Sequence, residues 1–189
     1  MIRVLIPYGT SEGHTARIAE YIANVIRNHG CEAHPVDIKQ RPAGVEPARY
    51  DAVIVGASVH MGKHEEYVHD FVRRHRKTLE RLPAAFFSVS LAAHDNTEAA
   101  RDEVEGYIER FVQQTGWRPH TIGRFAGALL YTRYGLIKRW IMKRIAREKG
   151  NPDTDTSRDY VYTDWDSVRG FAEEFMESLV LAGAPSARG

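Results

Sequence analysis

Sulfur chemistry is nearly absent from this sequence. Its 189 residues hold one cysteine, Cys31, which excludes an intramolecular disulfide and leaves nothing resembling a cysteine metal cluster. A reducing compartment fits that count, and no metal site is expected. Charge of one sign is lacking too: 26 Lys and Arg against 25 Asp and Glu give a formal net charge of +1, so no overall field recruits nucleic acid. Long hydrophobic runs are missing as well. The start, Met1-Ile2-Arg3-Val4-Leu5-Ile6, does not lead into the apolar stretch and small-residue cleavage site of a secretory signal. No segment approaches the roughly 18 apolar residues of a membrane span. The chain therefore reads as soluble or peripheral.

What is present is enough apolar residue, 43%, for one substantial core. Short β-branched or apolar runs alternate with segments of helical period, the pattern of βαβ units in a parallel sheet covered on both faces. Five strands are expected: Ile2 to Pro7, Glu32 to Ile38, Ala52 to Ala57, Ala84 to Leu91 and Thr121 to Leu130. The first helix, Gly13 to His29, stops at Gly30 and shares Ile18, Ile22, Val25 and Ile26 on one face. A second, Glu65 to Leu79, turns Tyr67, Phe71 and Val72 inward and its Arg, His and Lys residues outward as a solvated face. A third runs from Thr97 to Thr115. Tyr160 to Thr163 reads as a short final strand, and Asp164 caps a last helix with Val168, Phe171, Phe175 and Leu179 at helical spacing. One domain is expected over residues 1–181, with an insertion at about 131–159 and a flexible tail at 182–189.

In an open parallel sheet, ligands sit beyond the carboxyl ends of the strands, where strand order reverses. Three loops leave those ends: Tyr8 to Thr15, Ser58 to Lys63 and Leu91 to Asp95. The first presents the hydroxyls of Thr10, Ser11 and Thr15 with backbone N–H groups at a helix start, a setting that favours a phosphate. It lacks the lysine of the triphosphate loop G-x-x-x-x-G-K-[ST] and the spacing of G-x-G-x-x-G, which disfavours ATP and dinucleotides and leaves a monophosphate. An ordinary N-capped helix start is the competing reading of the same residues.

Tyr8-Gly9-Thr10-Ser11-Glu12-Gly13-His14-Thr15 resembles the FMN-phosphate loop of flavodoxins. The resemblance narrows to the menaquinone-dependent protoporphyrinogen IX dehydrogenases, flavodoxin-like enzymes of bacterial haem biosynthesis, and runs from Ile2 to about Phe175. It is carried by Val55-Gly56-Ala57-Ser58 with Gly62, by Pro83 to Leu91, and by Trp117-Arg118-Pro119. Ala126-Gly127-Ala128-Leu129 with Tyr131, Arg133 and Tyr134, and Val161-Tyr162-Thr163-Asp164-Trp165, complete it.

That resemblance implies an α/β, doubly wound, flavodoxin-like five-stranded parallel sheet of order 2-1-3-4-5, with a basic helical insertion associated with the last strand. It also implies an FMN site. Thr10, Ser11, Glu12, Gly13, His14 and Thr15 would hold the phosphate. Ser58, Val59, His60, Met61 and Gly62, with Ser90, Leu91, Ala92 and Ala93, would flank the ring. Many electron-carrier flavodoxins sandwich their flavin between aromatic residues; here the ring loops offer His60, Met61 and His94 instead, leaving room for a bulky organic reductant. No catalytic acid or base is assigned, since a loop histidine becomes one only through geometry.

The insertion is the second informative feature. Arg133 to Lys149 holds seven Arg or Lys and one Glu, a local charge of +6. On a helical projection Tyr134, Ile137, Trp140, Ile141 and Ile145 gather opposite Lys138, Arg139 and Lys143, describing a basic amphipathic helix. It can lie in a membrane interface, or pack its apolar stripe on its own domain. Arg133, Lys138 or Arg139 could also pair with propionate carboxylates. Arg133, Lys138, Arg139 and Trp140 are thus the expected substrate or membrane contacts. The resemblance implies oxidation of protoporphyrinogen IX, with electrons passed to menaquinone or another quinone at an anionic membrane surface. The protein would be cytoplasmic, peripherally held at the inner face of the cell membrane. The alternatives are a flavodoxin-like electron carrier without an organic substrate of its own and, more distantly, a lipid- or nucleic-acid-binding module that has lost its flavin. Oligomeric state is not legible.

Overall fold

The structure, a computed structural model, describes residues 1–40, 42, 44–130 and 157–181. The expected basic helix with Arg133, Lys138, Arg139 and Trp140, most of the loop after it, and the tail at 182–189 lie outside the described residues. In chain order the elements are β1 (Arg3–Gly9), α1 (His14–Asn28), β2 (Glu32–Asp37), β3 (Ala52–His60), β4 (Lys63–His64), α2 (Glu66–Leu79), β5 (Ala84–Ser90), α3 (Glu98–Thr115), β6 (Thr121–Ala126), β7 (Ala128–Leu129), β8 (Tyr160–Val161) and α4 (Trp165–Leu181).

The five long strands pair in parallel in the order β2-β1-β3-β5-β6. Counted along the chain as the five expected strands, that is the order 2-1-3-4-5. Ala52 to Ala57 is fully buried, as an apolar run in a central strand requires. Pro35 stands in β2, which lies at the sheet edge, where a missing backbone donor is tolerated. Strand order reverses at β1, which has β2 on one side and β3 on the other.

Helices cover both faces. Ile18, Ile22 and Ile26 of α1 join Phe171, Phe175 and Leu179 of α4 in one core cluster. On the other face, Val68, Phe71 and Val72 of α2 meet Val104, Ile108 and Phe111 of α3 in a second. There the Phe86 and Phe111 rings stack at 4.4 Å, with Trp117 edge-on to Phe86. α3 ends on Gly116 in the left-handed conformation, whose N–H donates to the Val112 carbonyl at 2.8 Å, a common helix stop.

Three details depart from the expectations. Ser58 to His60 continue β3, and the chain doubles back through Met61 and Gly62 into β4. Both turn residues have positive φ, 50° and 78°, as the tightest hairpin turns demand. The last parallel strand stops at Ala126; Gly127 breaks it, and β7 pairs antiparallel with β8 in a separate ribbon. Finally, His69 does not face outward with the cations of α2. It is buried at 3% exposure against Phe111, and its Nδ1–H donates to the Glu65 carbonyl at 3.1 Å. A ring with one local backbone partner costs little to bury beside aromatic residues, whereas a guanidinium does not.

Candidate functional site

A shallow cleft, open to solvent on one side, lies at the carboxyl ends of β1, β3 and β5, beside the reversal of strand order. Thr10, Ser11, Glu12, His14 and Thr15 line it from the first loop, Ser58, Val59 and His60 from β3, Val89, Ser90 and Leu91 from β5, and Gly127 and Ala128 from the strand break.

The first loop is shaped around the start of α1. Gly13 sits at the helix N-cap with φ 86°, a backbone posture that L side chains seldom adopt. Thr10 Oγ1 accepts from the Gly13 N–H at 2.9 Å, and the Thr10 N–H donates to the Tyr67 hydroxyl at 3.0 Å. No side chain caps α1 and no acidic residue stands in its first turn. α3, by contrast, is capped by Thr97, which accepts from the Ala100 N–H. The ordinary N-capped reading of the first loop therefore fails. The first N–H groups of α1 are left without a side-chain cap among the described residues, a setting in which an anion is favoured.

Behind the loop, His14 Nε2 lies 2.6 Å from Thr163 Oγ1. The Thr163 hydroxyl donates to the Ala126 carbonyl at 2.7 Å, so it can only accept from His14, and the ring carries its proton on Nε2. Burial, aided by the nearby Arg17, pushes the His14 pKa down to about 4, which keeps the ring neutral. Below β3, His64 Nε2 is 2.8 Å from the buried Ser88 hydroxyl. Burial, with His69 and Arg110 nearby, lowers its pKa to about 3.

Two of the lining loops meet at Glu65. Its Oε1 accepts from Ser11 Oγ at 3.1 Å and from Ser58 Oγ in a short contact. The Ser11 N–H donates to Ser58 Oγ at 3.4 Å. Burial pushes the Glu65 pKa up against these hydrogen bonds, which pull it down. Its Oε2 is buried with no hydrogen-bond partner among the described residues.

Ten of the residues expected from sequence thus line one cleft: Thr10, Ser11, Glu12, His14, Thr15, Ser58, Val59, His60, Ser90 and Leu91. Gly13, Met61, Gly62, Ala92 and Ala93 flank that lining without belonging to it. Met61 is 90% exposed at the hairpin tip, and the Ala93 N–H donates to Ser90 Oγ at 3.3 Å. His94 stacks on Tyr162 at 4.2 Å. Val89, Gly127, Ala128, Glu65 and Thr163 are additions that the sequence reading did not make.

Comparison with known proteins decides the family. A family model described as a flavodoxin domain matches residues 5–156. The chain is 34% identical over 173 residues to protoporphyrinogen IX dehydrogenase [quinone] of Escherichia coli (strain K12), covering 92% of this chain and 94% of the relative. It is 36% identical over 187 residues to the protein of the same name from Leishmania major, covering 97% and 78%. The chain belongs to the flavodoxin-like protoporphyrinogen IX dehydrogenase family.

Among solved structures, this family member is similar to oxidised flavodoxin 1 from Bacillus cereus (TM-score 0.54, 17% identity, 93% of this chain and 97% of that one). It is also similar to a short-chain flavodoxin associated with a bacterial microcompartment (TM-score 0.56, 12% identity, 94% and 99%). Those likenesses establish the fold. Within it, the donors of the cleft suit a flavin cofactor. Uncapped helix N–H groups and three hydroxyls stand at one end, and small or apolar groups such as Val59, Leu91, Gly127 and Ala128 at the other. No described helix is long and apolar enough to cross a membrane.

Proposed function

We propose that this chain is a quinone-dependent protoporphyrinogen IX dehydrogenase that works through FMN. The observation carrying the reaction is the similarity, over nearly the whole length, to two proteins of that name from distant organisms; the uncapped start of α1 facing the cleft supports the cofactor. When bound, FMN would supply the redox chemistry that links the porphyrinogen to a quinone.

The chain's share is binding and orientation. Thr10, Ser11, Thr15 and the first N–H groups of α1 hold the phosphate. The neutral His14 anchors the helix start to the closing strand through Thr163. Val59, Leu91 and Ala128 give the ring apolar neighbours, while Ser58 and Ser90 stand at the strand ends with polar atoms for its edge. His60 and Leu91 are exposed, which leaves the mouth of the cleft free for a large substrate.

The test is anaerobic. FMN-loaded protein mixed with protoporphyrinogen IX and a quinone analogue is expected to generate porphyrin fluorescence well above a flavin-only control. An unchanged rate would reject the dehydrogenase and leave the electron carrier. We also infer peripheral association with anionic membranes, supported by the +6 charge between Arg133 and Lys149. Flotation with anionic liposomes is expected to drop for Trp140→Glu, and equal flotation would remove that residue from the membrane contact.

A further inference from the structure

Among the described residues, the carboxyl of Glu65 is the one ionisable side chain that bonds both the first loop and the end of β3, and it has no place in the function above. Three features define its setting. Its Oε1 accepts the hydroxyl hydrogens of Ser11 and Ser58. Its Oε2 is buried with no hydrogen-bond partner among the described residues. Both serines line the cleft, so the hydroxyls spent on Glu65 belong to the site itself.

A serine hydroxyl has one hydrogen to give. While Ser11 donates to an ionised Glu65, it cannot donate to an arriving phosphate, and it also holds a second negative charge close to that phosphate. A protonated Glu65 removes both conflicts. Its O–H can donate to Ser11 Oγ, reversing the hydrogen bond, and the hydrogen of Ser11 is then free to turn toward the phosphate. Ser58 goes on donating to the other lone pairs of Oε1. The proton comes from solvent, one for each cofactor bound, and no covalent bond is made or broken.

We propose that Glu65 is a proton-linked gate on the phosphate loop: uncharged, it lends Ser11 to the cofactor phosphate, and ionised, it withholds it. This rests on the FMN reading above and adds a positioning residue to it. The groups around the carboxyl do not compete for the role. Tyr67 on α2, pushed up to about 12 by burial and by the charge of Glu65, stays protonated. His64 on β4 is neutral, held at about 3. His69 on α2 spends its Nδ1–H on the Glu65 backbone carbonyl rather than on the carboxyl.

The expected result is an FMN affinity that weakens with rising pH, approaching tenfold per unit, between the pKa of Glu65 in the empty cleft and its higher value in the complex. Calorimetry at one pH in buffers of different ionisation enthalpy should find up to one proton taken up per FMN. Riboflavin, which has the ring and no phosphate, should bind without that uptake. Glu65→Gln, which mimics the protonated acid, should bind FMN with a flat profile above pH 7 and melt no lower than wild type. A slope of equal size in Glu65→Gln or with riboflavin, or FMN binding by wild type without proton uptake at any pH, would overturn the gate. Wild-type protein that binds no FMN at any pH would instead overturn the flavoprotein reading.

Discussion

Taking the apoprotein from pH 7.5 to pH 4 is expected to cost on the order of 4 kcal/mol of folding stability, with His64 the largest contributor. Its folded pKa, about 3, lies far below the ordinary 6.5. Between those values the unfolded chain binds a proton that the folded chain refuses. The contribution is therefore complete above pH 6.5 and is lost as pH falls toward 3. At roughly 1.4 kcal/mol per unit, His64 supplies about 3 kcal/mol of the loss by pH 4. His14, lowered to about 4, works in the same direction. It adds less, about 1 kcal/mol, because its ring lines the open cleft and charge there is better screened. Glu65 has the opposite sign. Its raised pKa gives stability that is present at low pH and lost as pH climbs through the folded value. Urea denaturation at pH 7.5, 5.5 and 4 measures the loss. The double variant His64→Phe/Ser88→Ala, which removes the imidazole together with the hydroxyl it bonds, should recover about 3 kcal/mol of it. An unchanged pH slope in that variant would acquit His64.

Gly56→Ala is the second large effect. Gly56 stands in the central strand opposite Phe87 in the β3–β5 register. A β-carbon there would meet Phe87 Cζ at 2.1 Å, Cε1 at 2.5 Å and Cε2 at 2.7 Å. Phe87 is fully buried among Phe125, Phe171 and the α1 and α4 core residues, so it has nowhere to swing. Overpacking of this kind costs about 3 kcal/mol. For a chain of this length that is about 6 to 12 °C in melting temperature. Scanning calorimetry checks it. Phe87→Leu in the Gly56→Ala background should return part of the loss, because the two positions share one space and their effects do not add. If the double variant is no more stable than Gly56→Ala, the clash is not the cause.

The central strands were legible because they are apolar runs between turn residues, which a parallel sheet buries on both faces, whereas the strand order came from the family resemblance and not from the pattern of residues. The first loop was legible as part of the cleft because Gly13, Thr10 and Ser11 lie within four residues of one another, so local chemistry suffices. What escaped was set by tertiary contact. Glu65 meets Ser11 across 54 positions and Thr163 meets His14 across 149, and neither residue carries a local mark of its partner. The β3–β4 hairpin was read as a loop because Met61, a residue that rarely takes positive φ, occupies the first turn position. His69 was assigned outward because the cations beside it on α2 do face solvent, and hydropathy alone cannot separate one imidazole from four neighbouring cations.

The small ribbon of β7 and β8 has a consequence for how this family can change. It clasps the chain at Leu129 and Tyr160, beside Gly127 and Ala128 of the cleft. Everything between is a cassette whose two ends are fixed by the fold, and the entropy of closing it grows only slowly with its length. A descendant can therefore lengthen, shorten or recharge that stretch at little cost to the flavin-binding frame.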